Sequence, residues 1–268
     1  VYALYGGIAT PSEAAGVEFI SVNTGSDAQS INAAMNSVVA MEPDIVFDQS
    51  VDATFFLDQL QQLKDQGAII VYGGQINAEE YGLVDSLGGK GSLTVNSQVL
   101  AASAVALTCG TADEFVVYSV PELPSSAPMN DLVVEYMKEY NPNANVRIVD
   151  ISIADSDPAG KIVSDLQAHP ETQFFMSFAD QFQIGLADKA ALGGVTNALG
   201  IGVSSLPSNF EQIAAGTQVA GYAVDFGLFM WLQVDEGLRR MQGMDVPYLS
   251  DPLLVGQTQS HIITKGNV

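Results

Sequence analysis

One cysteine, two histidines and nine basic residues among 268 positions leave little for several kinds of chemistry. Cys109, in the apolar run VLAASAVALTC, has no second cysteine for an internal disulfide and reads as a small buried hydrophobe. His169, ahead of Pro170, and His261, near the end, are too few for a histidine-centred metal or catalytic site and read as surface or capping residues. No stretch approaches the roughly 18 uninterrupted apolar residues of a membrane span, and no charged-then-apolar leader opens the chain. Basic residues are outnumbered by 31 acidic ones, for a formal net charge of -22. Such a surface repels nucleic-acid phosphates and anionic headgroups, so no nucleic acid is expected as a partner. The surplus carboxylates read first as a solubilising surface.

Apolar residues are plentiful by contrast, at 47%, enough for a sizeable core in one large domain or two small ones. Short β-rich runs alternate with longer helical ones, the pattern of parallel sheets flanked by helices. VEFISV (17–22), DIVF (44–47) and AIIVY (68–72) read as strands. Between them lie a helix behind Ser26 or Asp27, with Ile31, Met35, Val38 and Val39 at helical spacing, and a helix over DATFFLDQLQQLKDQG closed by Gly67. The second half repeats the plan with strands EFVVYSV (114–120), RIVDISI (147–153), TQFFMSF (172–178) and ALGIGV (198–203), helices intervening. QVAGYAVDF (218–226), a helix over LFMWLQVDEGLRRMQG and a short HIITKGNV element follow. PDIVFDQS, helix, AIIVYGG matches TQFFMSFADQ, helix, ALGIGVSS, so two similar α/β lobes are expected, with GSLTVNSQ (91–98) crossing between them.

Strands that stop on hydrogen-bonding side chains direct attention to their carboxyl ends, where ligands bind in open α/β sheets because loops and helix N-termini bring free donors together there. Asp48, Gln49, Gly73, Gly74, Gln75, Asp180, Gln181, Ser204 and Ser205 all fall at such ends. Asp48, Asp180 and Ser204 have an alternative role as caps of the following helices. Phe226, Phe229, Met230 and Trp231 form an apolar stripe that reads as core, with ligand stacking by Phe226 or Tyr222 as the other reading; Tyr2 and Tyr5 carry the same ambiguity.

Catalytic templates fail in turn. GLVDSLGGKGS (82–92) lacks the spacing of a phosphate loop, GVSSL (202–206) has Leu where a nucleophile elbow needs its second Gly, and no dinucleotide fingerprint or zinc-binding pair occurs. No catalytic residue, metal or cofactor is assigned. An enzyme on this scaffold would have to use scattered carboxylates.

In the order of its elements, and best in EPDIVFDQSVDATFFLDQLQQLKDQGAIIVYGGQ and LQAHPETQFFMSFADQFQIGLADKAALGG, the chain resembles the type I periplasmic binding proteins. The ribose-binding, sugar-importer branch, which shares its fold with the ligand domains of LacI-type repressors, is the one it is most similar to. The resemblance implies two three-layer α/β/α lobes with parallel sheets and a three-stranded hinge, and a solute trapped in the cleft by closure. It further implies an ABC transporter permease as partner, a monomer, and a periplasmic or extracellular location with the signal removed and a lipid anchor possible. The lobes are then 1–93 plus 226–253 and 94–225 plus 254–268. Relative to that family the chain starts inside its first helix, the usual first strand missing, and a helix beginning afresh at Pro11 is the simpler local reading.

The family's sugar binders place an Asp-Arg pair where this chain has Gly74-Gln75, an Asn-Asp where it has Ala179-Asp180, and an Asp where it has Ser204. Gly, Ala and Ser cannot grip vicinal hydroxyls as Asp and Arg do. Arg147, Arg239 and Arg240 lie away from the strand ends that face the cleft, so an anion would lack its usual clamp. A small neutral or cationic ligand is expected, held by Asp48, Gln75, Asn96, Asp180, Ser204 and Asp225 with aromatic help from Phe226, beside Gln49, Gly74 and Gln181. A ligand-sensing domain of a regulator is the first rival reading and an enzyme the second.

Overall fold

The computed structural model describes residues 2–25, 27–48, 51–73, 78–84, 86, 90–123, 125–246 and 260–268. It divides into two compact units, Val1–Leu93 with Asp225–Gln259 and Thr94–Val224 with Ser260–Val268. In chain order the helices are α1 (Tyr2–Ala14), α2 (Ala28–Ala40), α3 (Leu57–Asp65), α4 (Lys90–Leu107), α5 (Ser126–Tyr140), α6 (Pro158–Ala168), α7 (Leu186–Leu192), α8 (Pro207–Ala215) and α9 (Phe226–Met241). The strands are β1 (Ile45–Asp48), β2 (Ile69–Tyr72), β3 (Glu114–Ser119), β4 (Asn145–Asp150), β5 (Phe174–Ser177), β6 (Gly200–Gly202), β7 (Ala220–Val224) and β8 (Ser260–Thr264).

In the first unit β1 and β2 pair in parallel, Ile45 opposite Ile69 and Asp48 opposite Tyr72. Because side chains alternate across a strand, the pair serves two helical layers. Val46, Ile70 and Tyr72 pack with Ile31, Met35, Leu60 and Leu63 of α2 and α3. Phe47 turns the other way, toward Phe229, Met230 and Val234 of α9 and Ile8 of α1. α1 meets α9 closely because Gly7 has no side chain: a Cβ there would lie 2.6 Å from Cγ of Met230. Gly237 does the same for α9 over Ile45, at 3.0 Å.

The second unit holds a four-stranded parallel sheet in the order β4-β3-β5-β6. An antiparallel pair, β7 with β8, continues from it through a bridge between Val203 and Tyr222. Val116, Tyr118, Val120 and Phe175 bury one face of the sheet against Ile162, Val163 and Leu166 of α6 and Leu186 of α7. Pro158 opens α6 at a position that needs no N–H, behind Asp157, whose carboxylate accepts the Gly160 N–H at 2.9 Å.

Several expectations change. VEFISV (17–22) forms no strand, and Ile20 within it is 56% exposed, which a half-buried strand would not allow. α1 runs through Pro11 instead of starting there. The helix expected over 52–67 is broken, with a 3₁₀ turn at Ala53–Phe55 capped by Asp52, before α3 begins at Leu57. GSLTVNSQ lies wholly within α4, and the division between the two units falls inside it, between Leu93 and Thr94, so Asn96 sits on a helix, half-buried. Cys109 is exposed, because α4 has ended and the chain leaves it through left-handed backbone at Cys109 (φ 53) and Gly110 (φ 67). Ser26, the other candidate cap of α2, lies outside the described residues; Asp27 holds that position, accepting N–H bonds from Gln29 and Ser30. No described helix is long and apolar enough to cross a membrane.

Candidate functional site

The carboxyl ends of the parallel strands carry the candidate groups, and each unit is built differently there. At the end of β1, Asp48 is 7% exposed. Its Oδ1 accepts the Val51 N–H at 2.9 Å, and its carbonyl accepts the Gly73 N–H at 2.6 Å. The side chain thus bonds the backbone just ahead of the Ala53–Phe55 turn without capping it, a position that Asp52 holds. Tyr72, opposite it, is fully buried; its phenol oxygen accepts the Ala53 N–H at 3.3 Å, and burial pushes its pKa up to about 12. Gln49, Gly74 and Gln75 lie outside the described residues.

In the second unit β5 runs into a compact polar knot. Ser177 Oγ donates to the Ala179 carbonyl at 2.8 Å, and the next residue, Asp180, opens a 3₁₀ turn and is 0% exposed. Its Oδ1 accepts from Nε2 of Gln183 at 2.6 Å and of Gln218 at 2.9 Å, and its Oδ2 accepts from the Ser205 hydroxyl. Asn209 of α8 donates both to the Asp180 carbonyl at 2.9 Å and to Gln218 Oε1 at 3.0 Å. Burial, opposed by the Ser205, Gln218 and Gln183 hydrogen bonds, raises the Asp180 pKa from 3.8 to about 6. Asp180 is thus an interior member of its unit, whereas its neighbour Gln181 is exposed.

Two residues beyond β6 stands Ser204, a non-glycine residue in left-handed backbone at φ 64. The amides of Ser204 and Ser205 both donate to the Tyr222 carbonyl, at 2.9 and 3.3 Å, so one acceptor on β7 holds the turn. At the end of β3, Asn130 of α5 donates to the Ser119 hydroxyl at 3.0 Å. Asp225 caps α9, accepting the Leu228 N–H at 3.0 Å; Phe226 is 38% exposed and lies edge-on to Phe229, ring centres 6.4 Å apart. The apolar stripe therefore divides: Phe229 and Met230 are core, while Phe226 and Trp231 are exposed. Tyr222 is buried.

The three arginines are engaged within their own units. Arg147 grips Asp165 with two hydrogen bonds, at 3.1 and 3.0 Å, and Tyr118 donates to the same carboxylate at 3.0 Å. Arg239 pairs with Asp235 at 2.7 Å and Arg240 with Glu236 at 3.0 Å. The groups at the described strand ends are hydroxyls, amides and carboxylates.

The structure brings Asp180 and Ser204 into one neighbourhood through Ser205, places Asp225 as the cap of α9, and binds Asp48 to the Val51 amide. Sequence reasoning missed Gln183, Asn209, Gln218, Ser119 and Asn130. Asn209 had a signal, since its Oδ1 accepts the Leu206 N–H at 3.0 Å in the helix-opening position behind a proline. Gln218 had none.

No family model matches the sequence, and no curated protein matches it. Solved structures do. An ABC sugar transporter subunit from Rhodobacter sphaeroides 2.4.1 superposes with a TM-score of 0.76 at 19% identity, over 99% of this chain and 93% of that one. A periplasmic solute-binding protein of an ABC transporter from Actinobacillus succinogenes 130z, with bound D-allose, gives 0.73 at 15% identity over 99% and 92%. A protein from Bacteroides fragilis described as a LacI transcriptional regulator gives 0.73 at 15% identity over 98% and 91%. With its α/β units, parallel sheets and chain-long match to these structures, the protein has the fold of the type I periplasmic binding proteins.

Proposed function

We propose that this chain is a solute receptor that binds one small neutral or cationic molecule without covalent chemistry and hands it to an ABC importer. The observation that carries the reading is the match along nearly the whole chain to solute-binding subunits of such transporters. Chemistry at the strand ends agrees with it: Ser119, Asn130, Ser204 and Gln181 offer hydrogen bonds, and the arginines that would clamp an anion are engaged elsewhere. In this reading the two units close on the solute, so that its polar groups find partners that open solvent would otherwise supply.

A thermal-shift screen tests it, with D-allose, pentoses, polyols, amines, nucleosides and aromatic acids as probes. One or a few compounds should raise Tm by about 5–10 °C at a hundredfold excess over Kd, by linkage, and be recovered unchanged. Conversion of the compound during incubation would replace the receptor with an enzyme. Stabilisation accompanied by ligand-dependent DNA binding would replace the importer role with regulation, the role that the description of the Bacteroides fragilis neighbour names.

A further inference from the structure

The sheet of the first unit is open on one side. β1 pairs with β2, and its other edge carries no strand among the described residues. Residues 17–22 nevertheless lie over the same helical layer as β1, because Phe19 and Phe47 both pack against the cluster of Ile8, Phe229, Met230 and Val234. Their exposure alternates as in an extended segment, Val17 and Phe19 half-buried, Glu18 and Ile20 exposed. No ladder joins them to β1. The two segments therefore share a layer at more than the spacing of a strand pair, about 4.8 Å.

The handedness of the connections tells what belongs between them. A crossover between parallel strands is right-handed, so the face its helix takes is set by the direction in which the chain steps across the sheet. α2 and α3 lie on one face, in a core with Ile31, Met35, Leu60 and Leu63. The step from 17–22 through α2 toward β1 and the step from β1 through α3 to β2 thus run in one direction. α1 lies on the opposite face, with α9. A step through α1 into 17–22 then runs the other way, and it starts from a strand on the β1 side of 17–22.

We propose that the edge of β1 is the docking site of one further parallel strand, joined ahead of α1 in the same polypeptide and lying between β1 and 17–22. The solved relatives have chain to spare for such an element, since the match covers 93%, 92% and 91% of the three superposed structures. Helices flank the position on both faces, so the strand is an uncharged run of about five residues rich in Val and Ile, without Pro. It would also cover Ile20, which is 56% exposed and, by alternation from Phe19, faces the α2 and α3 side. Strand order reverses at this position, and open α/β sheets bind ligands at the carboxyl ends beside such a reversal. The strand would end next to Asp48 and complete the binding face of the first unit. That last consequence alone rests on the receptor reading.

The test uses no solute, so its failure is distinct from failure of the receptor reading. The 268-residue chain is compared with one extended ahead of Val1 by a Val/Ile run of about six residues and a short Gly-Ser loop, and with the same extension carrying a central Pro. Amide hydrogen exchange of 17–22 should be close to intrinsic rates in the unextended chain. The Val/Ile extension should slow it at least about tenfold in a monomer, and the Pro version should not, because proline removes a ladder donor. Ile20→Ser should lower the urea midpoint of the extended chain and leave that of the unextended chain unmoved. Slow exchange of 17–22 without the extension, equal protection from the Pro version, or protection that appears only on dimerisation overturns the proposal. Should the extended chain not fold, the same two sequences are added as free peptides to the 268-residue chain. Protection of 17–22 by the Val/Ile peptide alone supports the strand, and its absence overturns it.

Discussion

Arg240 and Glu236, one turn apart on α9, form an ion pair at 3.0 Å in which the Glu236 side chain is 0% exposed and the arginine 21%. The same guanidinium nitrogen donates to the Ile70 carbonyl at 2.7 Å, so the pair ties the helix to the backbone of β2. Arg240→Ala removes the ion-pair partner of a buried carboxylate and should lower unfolding free energy by about 3 kcal/mol in urea titrations. Arg240→Lys, with a point charge in place of a planar fork, should recover only part of that. A loss within about 0.5 kcal/mol for Arg240→Ala would show the pair to be incidental to stability.

Close packing in the second unit gives a sharper test. A Cβ on Gly200 would fall 2.2 Å from the ring of Phe175 on the neighbouring strand, and Phe175 itself is fully buried beside Tyr118. Gly200→Ala should cost about 1–3 kcal/mol through forced displacement of that ring. Gly243→Ala, where the added atom meets nothing within 4 Å but φ is 67, should cost only the conformational part, about 1 kcal/mol. Equal losses would rule out overpacking as the cause.

Stability should also depend on pH above the usual acid range. Asp180 has a folded pKa raised from 3.8 to about 6, so its contribution favours the folded state below 3.8 and declines as pH climbs through 6. The full excursion is about 3 kcal/mol, of which about 1.4 kcal/mol should appear between pH 5 and 7.5 and the rest in stronger acid. Asp27 and Asp157 work in the opposite direction, because their pKa values are lowered by the hydrogen bonds that cap α2 and α6, and their contribution is lost only in stronger acid. Urea midpoints from pH 4.5 to 8 should fall with rising pH in the native chain and flatten in Asp180→Asn.

Net charge supplies another prediction. With 31 acidic and 9 basic residues, self-repulsion opposes the compact state and salt screens it. Calorimetry in potassium chloride from 0.05 to 1 M, concentrations chosen to span Debye lengths of about 14 to 3 Å, should show Tm rising by about 3–8 °C. A Tm independent of salt would mean that the acidic groups are spread widely enough not to oppose folding.

Much of this architecture was legible from the chain. Repeated β-rich runs at 114–120, 172–178 and 198–203 became the parallel core strands β3, β5 and β6, because period and length there agree with burial on both faces. VEFISV had the same composition, but composition cannot reveal whether a ladder partner exists. Cys109 was misread for a related reason: its apolar neighbours belong to a helix that ends two residues earlier, at Leu107. Strand-end polarity singled out Asp180 and Ser204, which the fold brings together through Ser205. It could not reveal that Asp180 faces inward, since its fixing partners Ser205 and Gln218 are 25 and 38 residues away in sequence.

Residues 260–264 lie antiparallel to β7, Ala220 opposite Thr264 and Val224 opposite Ser260. The second unit is consequently not a contiguous piece of chain: a fragment cut from 94 to 224 would present β7 as a bare ladder edge, an invitation to self-association. Excising that unit for separate study calls for a graft that fuses the 260–268 segment directly behind Val224.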